Sequence, residues 1–240
     1  MEIRIFDTEN LAAGYVADTV EALLREKPEA VLCLAAGHTS LPVFDELAQR
    51  ALDFSLTHII GLDDWLGVGP DTDGSCAAFL RRNFFSRVNL RTENIRLFNA
   101  LAQDPEAECA AMERQIADWG GLDYLLLGMG MNGHLALNEP GDSFARRAHV
   151  TSLSDTTRQV APKYFPAGMP AITQGITLGI ADFMEARCVH LAVFGSHKAP
   201  MVARLLAEDP SEELPATALK TLPQAQLLLD HAALDGAACV

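Results

Sequence analysis

Short, almost uninterrupted apolar runs recur along this chain, each followed by a polar or amphipathic stretch: IRIF, AVLCLAA, THIIGLDD, IRLFN, LDYLLLGMG, CVHLAVFG and AQLLLD. A strand with one wet face alternates apolar and polar residues, whereas a run that is apolar nearly throughout must be covered on both faces. Between the runs, helical periodicity spans about residues 11–25, 41–51, 76–85 and 105–119, with a further helix opening near His197. Strands feeding helices at this spacing predict an α/β fold with a doubly wound, mostly parallel sheet and helices on both faces. Residues 162–179, rich in Pro and Gly, fit neither pattern and are expected to be irregular.

No shift in composition divides the 240 residues, so one domain is expected. The net charge of −14 argues against nucleic acid and anionic membrane as partners, since both require a basic patch. It also means that a phosphate-bearing ligand could be held only where a few Lys or Arg and helix N-termini concentrate positive potential. The N-terminus has no basic start followed by an apolar stretch, and no apolar run reaches a membrane span, so a cytoplasmic location is expected. Cys33, Cys76, Cys109, Cys188 and Cys239 show no C-x-x-C spacing and suggest neither a disulfide framework nor a zinc site. Cys33 and Cys188 read as strand-core residues.

In doubly wound sheets ligands sit beyond the carboxyl ends of the strands, which directs attention to the strand-to-helix turns. LAAGHTSLPVF ends a strand, turns at Gly37 and enters a helix with Pro42 in its first turn, so it reads as an anion site or as a simple capped turn. GLDDWLG places Asp63 and Asp64 side by side, one of them facing the site as a candidate base, or else both serving a turn or a helix cap. GMGMNGHLALNEPG contains a literal G-x-G-x-x-G, but Asn138, Pro140 and Gly141 follow too soon for the helix that a dinucleotide would need. The segment is therefore expected to be a loop offering Asn132, His134, Asn138 and Glu139, with His134 and Glu139 able to form an oriented acid/base pair.

These motifs, LGMGMNGHLALNEPG together with LAAGHTSL, GLDDWLG, RRNFF, SLSDTTR, GITLGI and FGSHK, resemble the glucosamine-6-phosphate deaminase family, including its galactosamine-6-phosphate branch, over nearly the whole chain. The resemblance implies an enzyme that isomerises an amino-sugar phosphate from aldose to ketose and releases ammonia without metal or organic cofactor. It implies that Asp63 moves a proton between C2 and C1, with Asp64 in support. His134 would open the sugar ring, oriented by Glu139 and Asn132, and the phosphate would be met by Gly37, His38, Thr39, Lys163 and Lys198. Arg158 is a further candidate with a less direct role. Asn132 stands where some relatives carry Asp, and Lys163 where many carry Arg, so a point charge replaces a bidentate clamp.

The resemblance also implies that residues 162–179 correspond to a lid. Some relatives bind an allosteric amino-sugar phosphate near the N-E-P motif through a Ser, where this chain has Asp142, and through basic residues, where it has His149 and Thr151; the acid at Asp142 would repel such an effector. The sequence stops soon after its last strand, without the C-terminal tail of the long hexameric type, and leaves monomer or homo-oligomer undecided. Forms such as LDDW, GGLD and GHLALNEPG lean towards galactosamine-6-phosphate rather than its C4 epimer. Two alternatives share the fold: a 6-phosphogluconolactonase, which generally has Phe-Pro where this chain has Asn138-Glu139-Pro140, and a sugar-phosphate sensor domain.

Overall fold

The computed structural model describes residues 1–165 and 171–235. In chain order the elements are β1 (Glu2–Phe6), α1 (Glu9–Glu26), β2 (Val31–Leu34), α2 (Leu41–Gln49), β3 (His58–Gly61), β4 (Asp63–Trp65), α3 (Cys76–Asn83), β5 (Ile95–Arg96) and α4 (Pro105–Asp118). They continue with β6 (Tyr124–Gly128), β7 (His149–Ser152), α5 (Asp155–Val160), β8 (Gln174–Thr177), α6 (Ile180–Glu185), β9 (Val189–Val193), α7 (Ala199–Ala207), β10 (Ala225–Asp230) and α8 (His231–Asp235). Seven strands form one parallel sheet in the order β1-β10-β9-β6-β2-β3-β5.

The two-residue period of a strand divides the apolar runs between two cores. Val31, Cys33, Leu125 and Leu127 pack with α4, α6, α7 and α8 on one face, while Leu32, Leu34, Tyr124 and Leu126 pack with α1, α2 and α3 on the other. This double coverage explains the near-continuous apolar runs of the inner strands, whereas β1, at the sheet edge, leaves Ile3 and Ile5 exposed. Local signals set the helix starts: Thr8 accepts from the N–H of Leu11, and Asp104, followed by Pro105, accepts from that of Ala107. The helix expected near His197 begins at Ala199, after a 3-10 turn over Ser196–Lys198.

A second, three-stranded antiparallel sheet, in the order β4-β8-β7, corrects two expectations. THIIGLDD is not one strand: it breaks at Leu62, and Asp63–Trp65 leaves the main sheet to pair with β8. The segment 162–179 is not wholly irregular either, since β8 lies within it and joins β4 to β7. Strands this short, one of them carrying Gly175, show too little alternation to be read from sequence. Residues 166–170 of the expected lid and Cys239 lie outside the described residues. Trp65, Val68, Leu137, Leu153 and Ala161 form a small third core beneath this sheet.

Candidate active site

From the centre of the main sheet the chain winds outward in two directions, through β2, β3 and β5 and through β6, β9 and β10. The crevice beyond the carboxyl ends of β2 and β6 is therefore the topological switch point, where such sheets hold ligands. The segments that follow β2, β3, β6 and β9 carry Gly37–Thr39, Asp63 and Asp64 (on β4), Asn132–Glu139 and Lys198 respectively. Sheet order thus gathers residues that stand far apart in sequence.

His134 is fixed by a dense set of contacts. Its ring lies against Gly130, where any Cβ would run into the imidazole, and Gly133 takes φ +83 at a point where a Cβ would strike Leu214. Gly130 and Gly133 of the G-x-G-x-x-G thus allow a close approach of the imidazole and a left-handed turn within the loop itself. His134 Nδ1 is 3.6 Å from Glu139 Oε2 and 3.3 Å from Thr157 Oγ1. Asn132 donates from Nδ2 to Glu139 Oε2 at 2.8 Å and to Ser154 Oγ at 3.0 Å, and its Oδ1 accepts the His134 backbone N–H at 3.3 Å. An amide here is thus a donor to the carboxylate, where an ionised Asp could only accept.

The Ser154 N–H reaches Glu139 Oε1 at 3.2 Å, and the Glu139 N–H donates to Asp142 Oδ2 at 2.9 Å. Burial alone would raise the Glu139 carboxyl, but the neighbouring His134 imidazole, with Thr157 and Asn132, outweighs it and holds the group down to about 2. Asn138 serves the scaffold: its Nδ2 donates to the carbonyls of Leu135 and Leu178 from a fully buried position.

Asp63 and Asp64 divide as strand alternation requires. Asp64 is buried and bonded by backbone N–H groups, with Oδ1 taking those of Trp65 at 2.9 Å and Cys76 at 3.0 Å and Oδ2 that of Ala77 at 3.1 Å. It caps the start of α3 beside the formal cap, Ser75. Asp63 is only partly exposed and meets the Cys76 thiol; burial, then the charge of Asp64, pushes its carboxyl up to about 7. Asp63 opposes Thr177 across the β4–β8 pair, and Thr177 Oγ1 accepts the Leu137 N–H at 3.3 Å. Strand β8 therefore pins the Asp63 strand and the His134 loop to one another.

At the anion end, Gly37 opens a 3-10 turn over His38–Ser40 that runs into α2, and Thr39 Oγ1 would be 4.0 Å from a Cβ on Gly128. Lys198 Nζ reaches across the strand ends to the Met129 carbonyl at 2.7 Å, and burial lowers its ammonium from the usual value. Lys163 is exposed on the 3-10 turn Ala161–Lys163 that continues α5. The neighbouring Tyr164 ring is 6.2 Å from both His38 and Trp65, which brings this turn over the same crevice. Arg158 pairs with Asp155 on an exposed helix face.

Sequence reading missed Ser154, Thr157, Thr177 and Cys76, all small polar residues whose significance comes from tertiary contact. It also left out Arg146. That guanidinium donates to Asp142 Oδ1 at 2.6 Å, while Thr151 Oγ1 donates to Oδ2 at 3.0 Å and His149 Nε2 is 3.8 Å away. The network borders a cavity of about 400 Å³ behind Glu139, already supplied with its own carboxylate. Among the described residues no group of three or more His, Cys, Asp and Glu side chains is disposed to hold a metal ion, and no helix is long and apolar enough to cross a membrane.

Residues 7–228 match the family model described as glucosamine-6-phosphate isomerases/6-phosphogluconolactonase. A glucosamine-6-phosphate deaminase of Geobacillus sp. is 36% identical over 91% of this chain and 89% of its own length. One of Pseudarthrobacter chlorophenolicus is 37% identical over 97% and 91% respectively. The solved structure of a monomeric glucosamine-6-phosphate deaminase superposes with a TM-score of 0.93 at 32% identity, over 97% of this chain and 98% of that one. A 6-phosphogluconolactonase of Thermotoga maritima shares the fold, with a TM-score of 0.77 at 23% identity over 95% and 98% of the two chains. The chain belongs to the glucosamine-6-phosphate isomerase/6-phosphogluconolactonase family.

Proposed function

We propose that this protein is an amino-sugar-6-phosphate deaminase/isomerase that converts glucosamine-6-phosphate or galactosamine-6-phosphate to the ketohexose-6-phosphate and ammonia. The observation that carries this reading is the pairing of two proton-transfer groups on segments pinned to one strand. One is a carboxyl raised to about 7, and the other an imidazole backed by a carboxylate held at about 2. An aldose-to-ketose shift needs both. The ring opens when a proton passes between the C1 hydroxyl and the ring oxygen, a transfer suited to an imidazole. A proton must then leave C2 and arrive at C1, which a carboxyl near its pKa at neutral pH can accept and return.

In this scheme His134 opens the ring while Glu139, Asn132 and Thr157 fix its orientation. Asp63 takes the C2 proton, giving an enolamine, and delivers it to C1, giving a ketimine that water hydrolyses to ketose and ammonia. Asp64 holds α3 and adds the negative charge that helps keep Asp63 partly protonated. Gly37, His38, Thr39, Lys163 and Lys198 receive the phosphate, which concentrates positive charge locally on a chain of net charge −14. The part of the 162–179 segment that precedes β8 acts as a lid, and the acid at Asp142 makes activation by an N-acetylamino-sugar phosphate unexpected.

The test is to incubate the protein with each C4 epimer side by side and measure ammonia and ketose phosphate. Hydrolysis of 6-phosphogluconolactone without ammonia release from either amino sugar would replace this reading with the lactonase one. Binding of a hexosamine phosphate without turnover would make the protein a sensor. Sigmoidal kinetics made hyperbolic by N-acetylglucosamine-6-phosphate would overturn the expectation about regulation.

A further inference from the structure

His134 Nδ1 has a nearer partner than the carboxylate behind it. At 3.6 Å the contact with Glu139 Oε2 is long for a hydrogen bond, while Thr157 Oγ1 stands at 3.3 Å. Thr157 is buried, and its hydroxyl also accepts from Ser154 Oγ at 3.2 Å. Ser154 in turn caps α5, accepting from the Thr157 N–H, receives Asn132 Nδ2 and gives its own N–H to Glu139.

The element carrying Thr157 also carries a cation. Helix α5 passes at Ala161, with φ −48 and ψ −42, directly into the 3-10 turn that ends at Lys163. Six residues of such a helix advance about 9–10 Å. That distance approaches the span of an extended open-chain hexose 6-phosphate from C1 to phosphorus, the ring form being shorter. One short rod therefore carries a hydroxyl that faces the imidazole and, further along, the exposed ammonium of Lys163.

Resting on the deaminase reading above, we propose that Thr157 is a positioning residue for His134, and that through α5 it links the orientation of the imidazole to capture of the substrate phosphate by Lys163. Thr157 Oγ1 accepts the Nδ1–H and so leaves Nε2 free to face the sugar. A phosphate drawn to Lys163 settles α5, and with it the hydroxyl that selects this tautomer.

The experiment first establishes ammonia release by the unaltered chain from either hexosamine 6-phosphate. Failure there removes the functional reading and this proposal with it. With turnover in hand, Thr157→Val is expected to lower kcat about 10-fold with KM changed less than about twofold, and to move the pH profile of kcat, while Thr157→Ser returns kcat to within about threefold. Lys163→Met is expected to raise KM and lower kcat, and the double variant to lose less kcat than the product of the two single losses. Should Thr157→Val fail to fold, Thr157→Ala is taken through the same assays. Unaltered kcat and pH profile in the apolar variant, or a serine variant as slow as it, would overturn the positioning role. A strictly multiplicative double variant would overturn the link to Lys163.

Discussion

Asp63 and Glu139 both belong to segments held by β8 and both lose water to burial, yet the protein treats them in opposite ways. Burial and then the charge of Asp64 raise Asp63 to about 7, with only the Cys76 thiol acting against them. Burial also acts to raise Glu139, but it is overcome by the imidazole, a hydroxyl and an amide, and the carboxyl falls to about 2. Donors and the sign of the neighbouring charge, rather than burial alone, separate them. Among the described residues no backbone N–H donates to Asp63, although its neighbour Asp64 takes three. A carboxyl starved of donors can exchange a proton at neutral pH, whereas one saturated with them remains an anion and steadies a cation beside it.

The largest expected effect comes from removing the starved carboxyl. Asp63→Asn should lower kcat by at least ~10³-fold and abolish exchange of the C2 proton with solvent. Retention of exchange, read by NMR in deuterated water, would take the base role away from Asp63. His134→Gln should cost about 10²-fold, with partial recovery on an open-chain substrate analogue, because only the ring-opening step has lost its shuttle. Glu139→Gln should fall between this loss and the wild type, since the imidazole remains but its counter-charge is gone. A Glu139→Gln loss exceeding that of Asp63→Asn would invert the assignment of roles.

Stability should separate the two carboxyls by sign. Asp63 has a folded pKa above its unfolded value of about 4, so its ionisation progressively destabilises the fold as pH rises from about 4 to 7. Glu139 has a folded value near 2. Its contribution is complete above about 4.5 and is lost as pH falls towards 2. At pH 7.5, Asp63→Asn is expected to raise Tm by a few degrees and Glu139→Gln to lower it by roughly 4–8 °C. The first difference should shrink towards pH 4 and the second on acidification below about 4.5. Thermal melts of the three proteins across this range measure both, and shifts of the same sign would remove the contrast.

The seven apolar runs made the main sheet legible, most clearly in β2, β6 and β9, where burial on both faces writes itself into almost every position, while the edge strand β1 keeps Ile3 and Ile5 exposed. The His134–Glu139 pair was legible for a local reason, since both residues lie on one loop whose glycines permit a single tight path. The small sheet was not, as β4 and β8 are too short to show alternation and Asp63–Trp65 reads as a continuation of β3. Nor could sequence divide the labour of Asp63 and Asp64. The division depends on the N–H groups of Cys76 and Ala77, more than ten residues downstream, arriving at one carboxyl and not the other. Ser154 and Thr157 escaped notice because hydroxyls at a helix start are explained well enough by capping until the imidazole beside them is placed.

The smallest effect tests donor supply most directly. The Cys76 thiol is a weak donor and offsets only part of what raises Asp63. Cys76→Ser puts a stronger hydroxyl donor at the same place and should move the Asp63 carboxyl towards the condition of Glu139. Cys76→Ala withdraws the donor altogether. The acidic limb of the kcat profile reports the ionisation of Asp63 in the complex, so it is expected to shift down by about 0.5 pH unit in the serine variant and up by a similar amount in the alanine one. At pH 6 the serine variant should therefore be the faster of the two. Near pH 8, where Asp63 is ionised in both, the order should close or reverse, because a base made weaker by its new hydrogen bond removes a carbon-bound proton less readily. Limbs that coincide in all three proteins would mean that burial and Asp64 set the Asp63 carboxyl by themselves, and that donor supply distinguishes only Glu139.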